Sequence, residues 1–305
     1  MTNTPFAPGR PVLPALSGLS GWITSAMLVL LALLISACSG SADDAAGDRL
    51  ERIKQAGVLR VAVFDGNPPF GSVNPETRQI EGLDVDYAQA LASKLGVKLE
   101  LVPTNPANRI PLLSSGKADL ILANFTITEE RAQQVDFSIP YFASGQQFIA
   151  KRGTLTRPDQ LAKLRIGVDK GTVNEITLRN LYPDATQVAF DDTPFAFTAL
   201  RNGNVQAITQ DGPKLIGILA NSPDRDQYEI PNFTISQDLI GIGIPKGEAS
   251  LKQFVDDTLR ELESGGEAQR IHDRWFGPDT KTPLPRNFRI GEAPAAAAAA
   301  TPPAN

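Results

Sequence analysis

Arg131 stands where local physics disfavours it. In the run NFTITEERAQQVDFSIPY (residues 124–141), the apolar stretch at 120–123 reads as a short buried strand, and Thr128 is a good N-cap for a helix whose first turn carries Glu129 and Glu130. Those acids suit the positive end of a helix. Arg131, still in the first turn, does not, and a cation held there loses roughly a few tenths of a kcal/mol unless an anion meets it. The guanidinium, the free N–H groups of the helix start and the hydroxyls of Thr126 and Thr128 would together grip a carboxylate from two sides. Spacing alone leaves a second reading open, in which Arg131 pairs with its helix neighbours or with Asp136.

The elements around this run place other candidates beside it. Val58–Phe64 (VLRVAVF) is strand-like and runs into a loop at 65–70 (DGNPPF). GLDVDY (82–87) opens a helix, with apolar positions at Val85, Ala88, Leu91, Ala92 and Leu95 and a stop at Gly96; its acids are expected to cap it and to position loops. A second strand at 98–102 precedes Arg109, in NRIP, which enters a short helix closing at Gly116. Further on, residues 165–168 form another strand, and Thr172 with Glu175 three residues later is a capping box that offers N–H groups at Val173 and Asn174. That box is equally an ordinary structural cap. An internal echo links the halves: LSSGKADLI at 113–121 matches LRNGNVQAI at 200–208, each a helix end, a glycine and a buried strand. In open parallel sheets ligands sit beyond the carboxyl ends of strands, and Asp65, Arg109, Thr126, Thr172 and Asp211 all fall there. Taken alone, Asp211 reads as a turn aspartate beside Gly212.

GLDVDY, NRIP and TITEERAQQVDFSIPY, in that order, resemble the family of extracytoplasmic solute-binding proteins that deliver polar amino acids to ABC importers, and the resemblance covers residues 48–290. It implies a periplasmic-binding-protein-like α/β fold, two lobes joined by two hinge strands at 144–151 and 238–245. It further implies that Arg131 clamps a ligand α-carboxylate beside Asn124 and Thr126, with the Thr172 and Val173 helix start and Lys170 facing it from the other lobe. Asp211 would accept the α-ammonium, and Arg109 with Asp65, Asn67 and Phe70 of the 65–70 loop would contact the side chain. The NRIP segment is similar to the glutamate/aspartate-binding branch. Where that branch carries further basic residues this chain has Phe64 and Thr193, and it adds Asp65, so glutamine, asparagine or a related ligand stays open. A dehydratase on the same scaffold, or a ligand-sensing lipoprotein, is the alternative to transport.

Composition sets the remaining bounds. The 305 residues, 42% hydrophobic, suffice for two lobes of about 100 residues, and a formal charge of −5 without a basic cluster argues against nucleic-acid binding. One histidine and one cysteine make neither a Cys/His or Ser/His/Asp catalytic set nor a His/Cys metal cluster, so no cofactor or metal is expected. His272, between Ile271 and Asp273, reads as structural or exposed. Residues 21–37 are an almost wholly apolar run ending in ISAC, which resembles a bacterial lipobox with Cys38 as the lipidated residue. The expected organisation is a lipoprotein signal peptide (1–37), a flexible tether (38–48), a first lobe (49–145), a second lobe (146–238), a return to the first lobe (239–290) and a low-complexity tail (291–305). The expected protein is a lipid-anchored monomer outside the cytoplasm, partnered by a membrane permease.

Overall fold

The computed structural model describes residues 48–292; the export segment, Cys38, nearly all of the tether and the rest of the alanine-proline tail lie outside the described residues. The described chain begins with α1 (Arg49–Ala56) and β1 (Val58–Phe64). Three short strands, β2 (Gly66–Asn67), β3 (Gly71–Val73) and β4 (Ile80–Glu81), pair with one another and lead into α2 (Leu83–Leu95). Then come β5 (Lys98–Thr104), α3 (Arg109–Ser114), β6 (Leu120–Ile121), α4 (Glu129–Ala132) and β7 (Val135–Phe137). Through β8 (Phe142–Ser144) and β9 (Gln146–Lys151) the chain enters a second unit: β10 (Arg165–Asp169), α5 (Val173–Leu181), β11 (Thr186–Phe190), α6 (Thr193–Arg201), β12 (Ala207–Asp211), α7 (Gly212–Ala220) and β13 (Tyr228–Glu229). It returns by β14 (Asp238–Ile240) and β15 (Gly243–Pro245) and ends in α8 (Ala249–Ser264) and α9 (Glu267–Phe276).

Two five-stranded sheets result, one per lobe, ordered β5-β1-β6-β15-β7 and β11-β10-β12-β9-β13. In each, three strands run parallel and the strands next to them are antiparallel. The inner strand β1 is buried on both faces over most of its length, which is why VLRVAVF is apolar almost throughout. Alternate residues of β1 feed different cores. Leu59, Val61 and Val63 pack with Leu91, Leu251 and Phe276, whereas Ala62 and Phe64 pack with Ile121 and Phe125. The second sheet divides in the same way, Ile166 and Val168 to one side and Ile149 and Ile208 to the other.

Each expected crossing segment is split in two. Between β8 and β9 sits Gly145, where a Cβ would lie 2.5 Å from the Ser236 carbonyl. Only glycine lets the two crossing chains approach so closely, and β8 pairs antiparallel with β14 from Ser144–Asp238 to Phe142–Ile240. The acids of GLDVDY do not cap α2, whose N-cap Gly82 offers no side chain. Asp86 instead accepts from Trp275 Nε1 at 2.8 Å and Arg274 at 3.0 Å, tying α2 to α9. His272 is buried rather than exposed. Its ring packs 5.2 Å from that of Phe276, and burial pushes its pKa below the ordinary imidazole value. Among the described residues no helix is long and apolar enough to cross a membrane.

Candidate ligand-binding site

Thr128 caps α4 as its sequence predicts, its Oγ1 accepting from Arg131 N at 3.2 Å. The ion pair with Asp136 does not form. Asp136 takes Lys246 Nζ at 2.8 Å and Gly247 N at 2.7 Å, which holds its carboxyl below the usual range despite partial burial. The Arg131 guanidinium lies over the Phe125 ring, 4.7 Å from its centroid. It donates to the Thr126 carbonyl at 2.9 Å and, across the lobes, to the Gly171 carbonyl at 3.0 Å. Arg109 is buried as well, its guanidinium carbon 4.7 Å from the centroid of the same ring. It donates to the carbonyls of Pro106 (3.0 Å), Ala123 (3.0 Å) and Asn124 (3.2 Å) and reaches Gly171 O at 3.5 Å.

Two cations thus converge on one neutral carbonyl. Burial pushes the Arg131 pKa down to about 10, with Asp211 opposing the shift; Arg109 is driven down by burial and then by Arg131. Arg131 uses two of the five N–H groups of a guanidinium in this arrangement, and the remainder are available to an anion. A buried cation facing only carbonyls is poorly compensated, and a carboxylate placed there would repair it.

The opposite charge stands across the gap. Asp211 ends β12, is buried, and accepts from Asn124 Nδ2 of the first lobe and from Asn174 Nδ2 at 3.3 Å. Asp238, also buried, is raised to about 6 by burial and then by the Asp211 charge, so the two carboxyls share one neighbourhood with Arg131. Asn124 holds a left-handed φ of 44° and is fixed from behind by Asp84, which accepts its N–H at 2.9 Å and the Tyr141 hydroxyl at 2.6 Å. Burial raises Asp84 to about 7.

Further along the same gap lies a group that the sequence reading did not pick out. Lys214, in the first turn of α7, is fully buried with Nζ 3.8 Å from Asp169 Oδ2 and 4.8 Å from the Phe64 ring centroid. Asp169 also accepts from Thr193 Oγ1 at 2.6 Å and Gln210 Nε2 at 2.8 Å, and burial raises its pKa. Asn67 Nδ2 donates across the lobes to Asp192 at 2.6 Å. Lys214 carried the same signal as Arg131: a cation in the first turn of a helix, here amid GPKLIGILA.

The other expected residues divide. Thr126 is buried, and its carbonyl orients Arg131. Thr172 caps α5, accepting from Glu175 N at 3.2 Å, and Val173 is the first helical residue. The second half of the expected capping box slips by one residue, since Glu175 accepts from Gly171 N rather than Thr172 N. Phe70 is a correction: it is a core ring, 5.2 Å from Phe142 and 5.9 Å from Phe276, held there because its loop folds into the β2-β3 turn. Asp65 and Lys170 are also corrected. Asp65 is exposed, and Lys170 extends outward to an exposed pair with Asp191 at 2.9 Å, a contact worth little.

The bacterial extracellular solute-binding proteins, family 3, are matched over residues 59–278. The chain belongs to this family. A glutamine-binding protein of Geobacillus stearothermophilus is 34% identical over 246 residues, covering 74% of this chain and 92% of that one. The glutamate/aspartate import solute-binding protein of Escherichia coli is 30% identical over 283 residues, 86% and 92% of the two chains. Among solved structures, an ancestral amino acid-binding protein described as a precursor of cyclohexadienyl dehydratase matches with a TM-score of 0.69 and 29% identity, over 75% of this chain and all of that one. The family's periplasmic-binding-protein-like α/β fold is therefore the fold of this chain. Among its described residues no group of three or more His, Cys, Asp or Glu side chains could hold a metal.

Proposed function

We propose that this protein is the substrate-binding component of an ABC importer for polar amino acids, tethered to the membrane by lipid on Cys38 and docking, once closed, on a membrane permease. The ligand zwitterion lies between the lobes. Arg131 takes its carboxylate with help from the N–H groups at the start of α5, and the ammonium goes to Asp211 with Asp238 nearby. The paired β8 and β14 strands serve as the hinge.

The observation that carries this reading is the convergence of Arg131 and Arg109 on the single carbonyl of Gly171, with Asp211 buried opposite. The amino-acid relatives and the lipobox at Cys38 support it. The two relatives described above are named for glutamine and for glutamate/aspartate. Titration calorimetry of the full-length chain in detergent against the common amino acids tests the proposal: at least one binds with micromolar or better affinity, and Arg131→Ala abolishes that binding. Binding that survives Arg131→Ala unchanged would refute it.

A further inference from the structure

Several buried side-chain oxygens between the lobes have no hydrogen-bond partner: Asn67 Oδ1, Asn124 Oδ1, Asn174 Oδ1 and Asp169 Oδ1. An amide can be turned end for end, so its orphaned atom identifies a ligand group only where the other end is fixed. Here it is fixed. Asn67 Nδ2 donates to the Asp192 carboxylate, and the Nδ2 atoms of Asn124 and Asn174 donate to the Asp211 carboxylate. A carboxylate only accepts, so each amide must point its nitrogen there, which makes the oxygen the unpartnered end. Asp169 brings a carboxylate oxygen of its own. These four atoms are therefore all acceptors, and a buried acceptor left without a donor bears the full penalty of its lost hydration.

These acceptors fall in two places. The oxygens of Asn124 and Asn174 lie beside Asp211, where the three N–H groups of an α-ammonium would satisfy them. Asn67 and Asp169 lie at the other end, linked through Asp192 and its neighbour Thr193, which donates to Asp169. That end joins the carboxylate end through stacked groups: Arg131 and Arg109 share the Phe125 ring, and Arg109 and Lys214 share the Phe64 ring.

We propose, on the amino-acid-binding reading above, that the ligand side chain ends in a hydrogen-bond donor, an amide, guanidinium or ammonium, received by Asn67 and Asp169, and that glutamate and aspartate are excluded. The two cations that would otherwise read a carboxylate there are already engaged. Lys214 is paired with Asp169, and Arg109 directs its N–H groups at four backbone carbonyls. A second carboxylate would meet Asp169 and Asp192 as like charges and leave the Asn67 and Asp169 oxygens still without donors. Sites built to bond a particular polar group reject ligands lacking it by large factors.

The test is calorimetry at pH 7 on the full-length chain in detergent, with glutamine, asparagine, citrulline, lysine and arginine set against glutamate, aspartate and norvaline. The tightest donor-terminated amino acid binds at least 100-fold more strongly than glutamate, aspartate or norvaline. Asn67→Leu weakens that ligand at least tenfold more than it weakens norvaline, a ratio that a general folding or closure defect would not produce. Glutamate or aspartate binding as tightly as any donor-terminated ligand, yet lost in Arg131→Ala, overturns this inference and leaves the amino-acid reading standing. Norvaline binding equally well, or an unchanged ratio in Asn67→Leu, overturns the assignment to Asn67 and Asp169. If none of these amino acids binds, both readings fall.

Discussion

Arg131 is held by the Phe125 ring, the Thr126 carbonyl and the Thr128 cap, so it is oriented before any ligand arrives. Preorganisation of this kind makes truncation costly. Arg131→Ala is expected to remove about 3 to 5 kcal/mol of binding, about 150-fold to several thousand-fold in affinity by calorimetry. Arg131→Lys restores little of it, since an ammonium lacks the planar fork. Asp84 gives a separate prediction. Burial raises it from 3.8 to about 7, so the folded chain keeps a proton that the unfolded chain has lost. Its contribution to stability is complete below about pH 4, falls as pH rises through 7, and is constant above. Asp84→Asn removes that fall, and thermal midpoints recorded from pH 4 to 8 decline less steeply than in the parent chain. The odd setting of Arg131 was legible in the sequence because its position contradicts the helix dipole, but spacing alone left its partner open; its capping threonine was legible outright. Lys214 carried the same contradiction, but nothing local says that Asp169, 45 positions earlier, would meet it. Phe70 was expected at the ligand because the resemblance assigns its loop there; that its ring turns into the core depends on Phe142 and Phe276, which are distant in the chain.

At the scale of elements, closure depends on how near α7 can come to the loop after β2. A Cβ on Gly217 would lie 2.0 Å from the Pro68 carbonyl, which demands movement of backbone rather than of a side chain. Gly217→Ala is therefore expected to hold the lobes apart. Ligand affinity falls tenfold or more, small-angle scattering with ligand shows a larger radius than the parent, and the ligand-free chain stays as stable, alanine being the better helix former. An unchanged affinity would show that these elements need not touch for binding. The repeated helix-glycine-strand units were readable because Gly116 and Gly203, with φ of 70° and 75°, terminate helices as the pattern requires. The small β2-β3-β4 sheet was not, since strands of two or three residues carry no period to detect. The crossing strands were read as continuous because their interruptions at Gly145 and Gly241 arise from contacts with distant segments, Ser236 and Ile127.

At the scale of the molecule, the two lobes have their own sheets and cores and meet through polar contacts that include Arg131 and Arg109 to Gly171, Asn124 to Asp211 and Asn67 to Asp192. A zwitterion placed among them supplies charge to both sides, so ligand stabilises the closed, folded form by mass action. At 100 times Kd the gain is about 2.7 kcal/mol, seen as a rise in thermal midpoint of a few degrees that is absent in Arg131→Ala. The two-lobed fold was legible because the family's motifs recur in order, whereas the contacts between lobes join residues 40 to 125 positions apart and leave no trace in local pattern. What holds the ligand is most directly tested by removing its two charged ends one at a time. The tightest-binding amino acid, its decarboxylated amine and its deaminated acid are titrated in parallel into the same protein. Both analogues are predicted to bind at least 100-fold more weakly than the parent, because each abandons one buried charge at Arg131 or Asp211. Either analogue binding within threefold of the amino acid would contradict the zwitterion clamp.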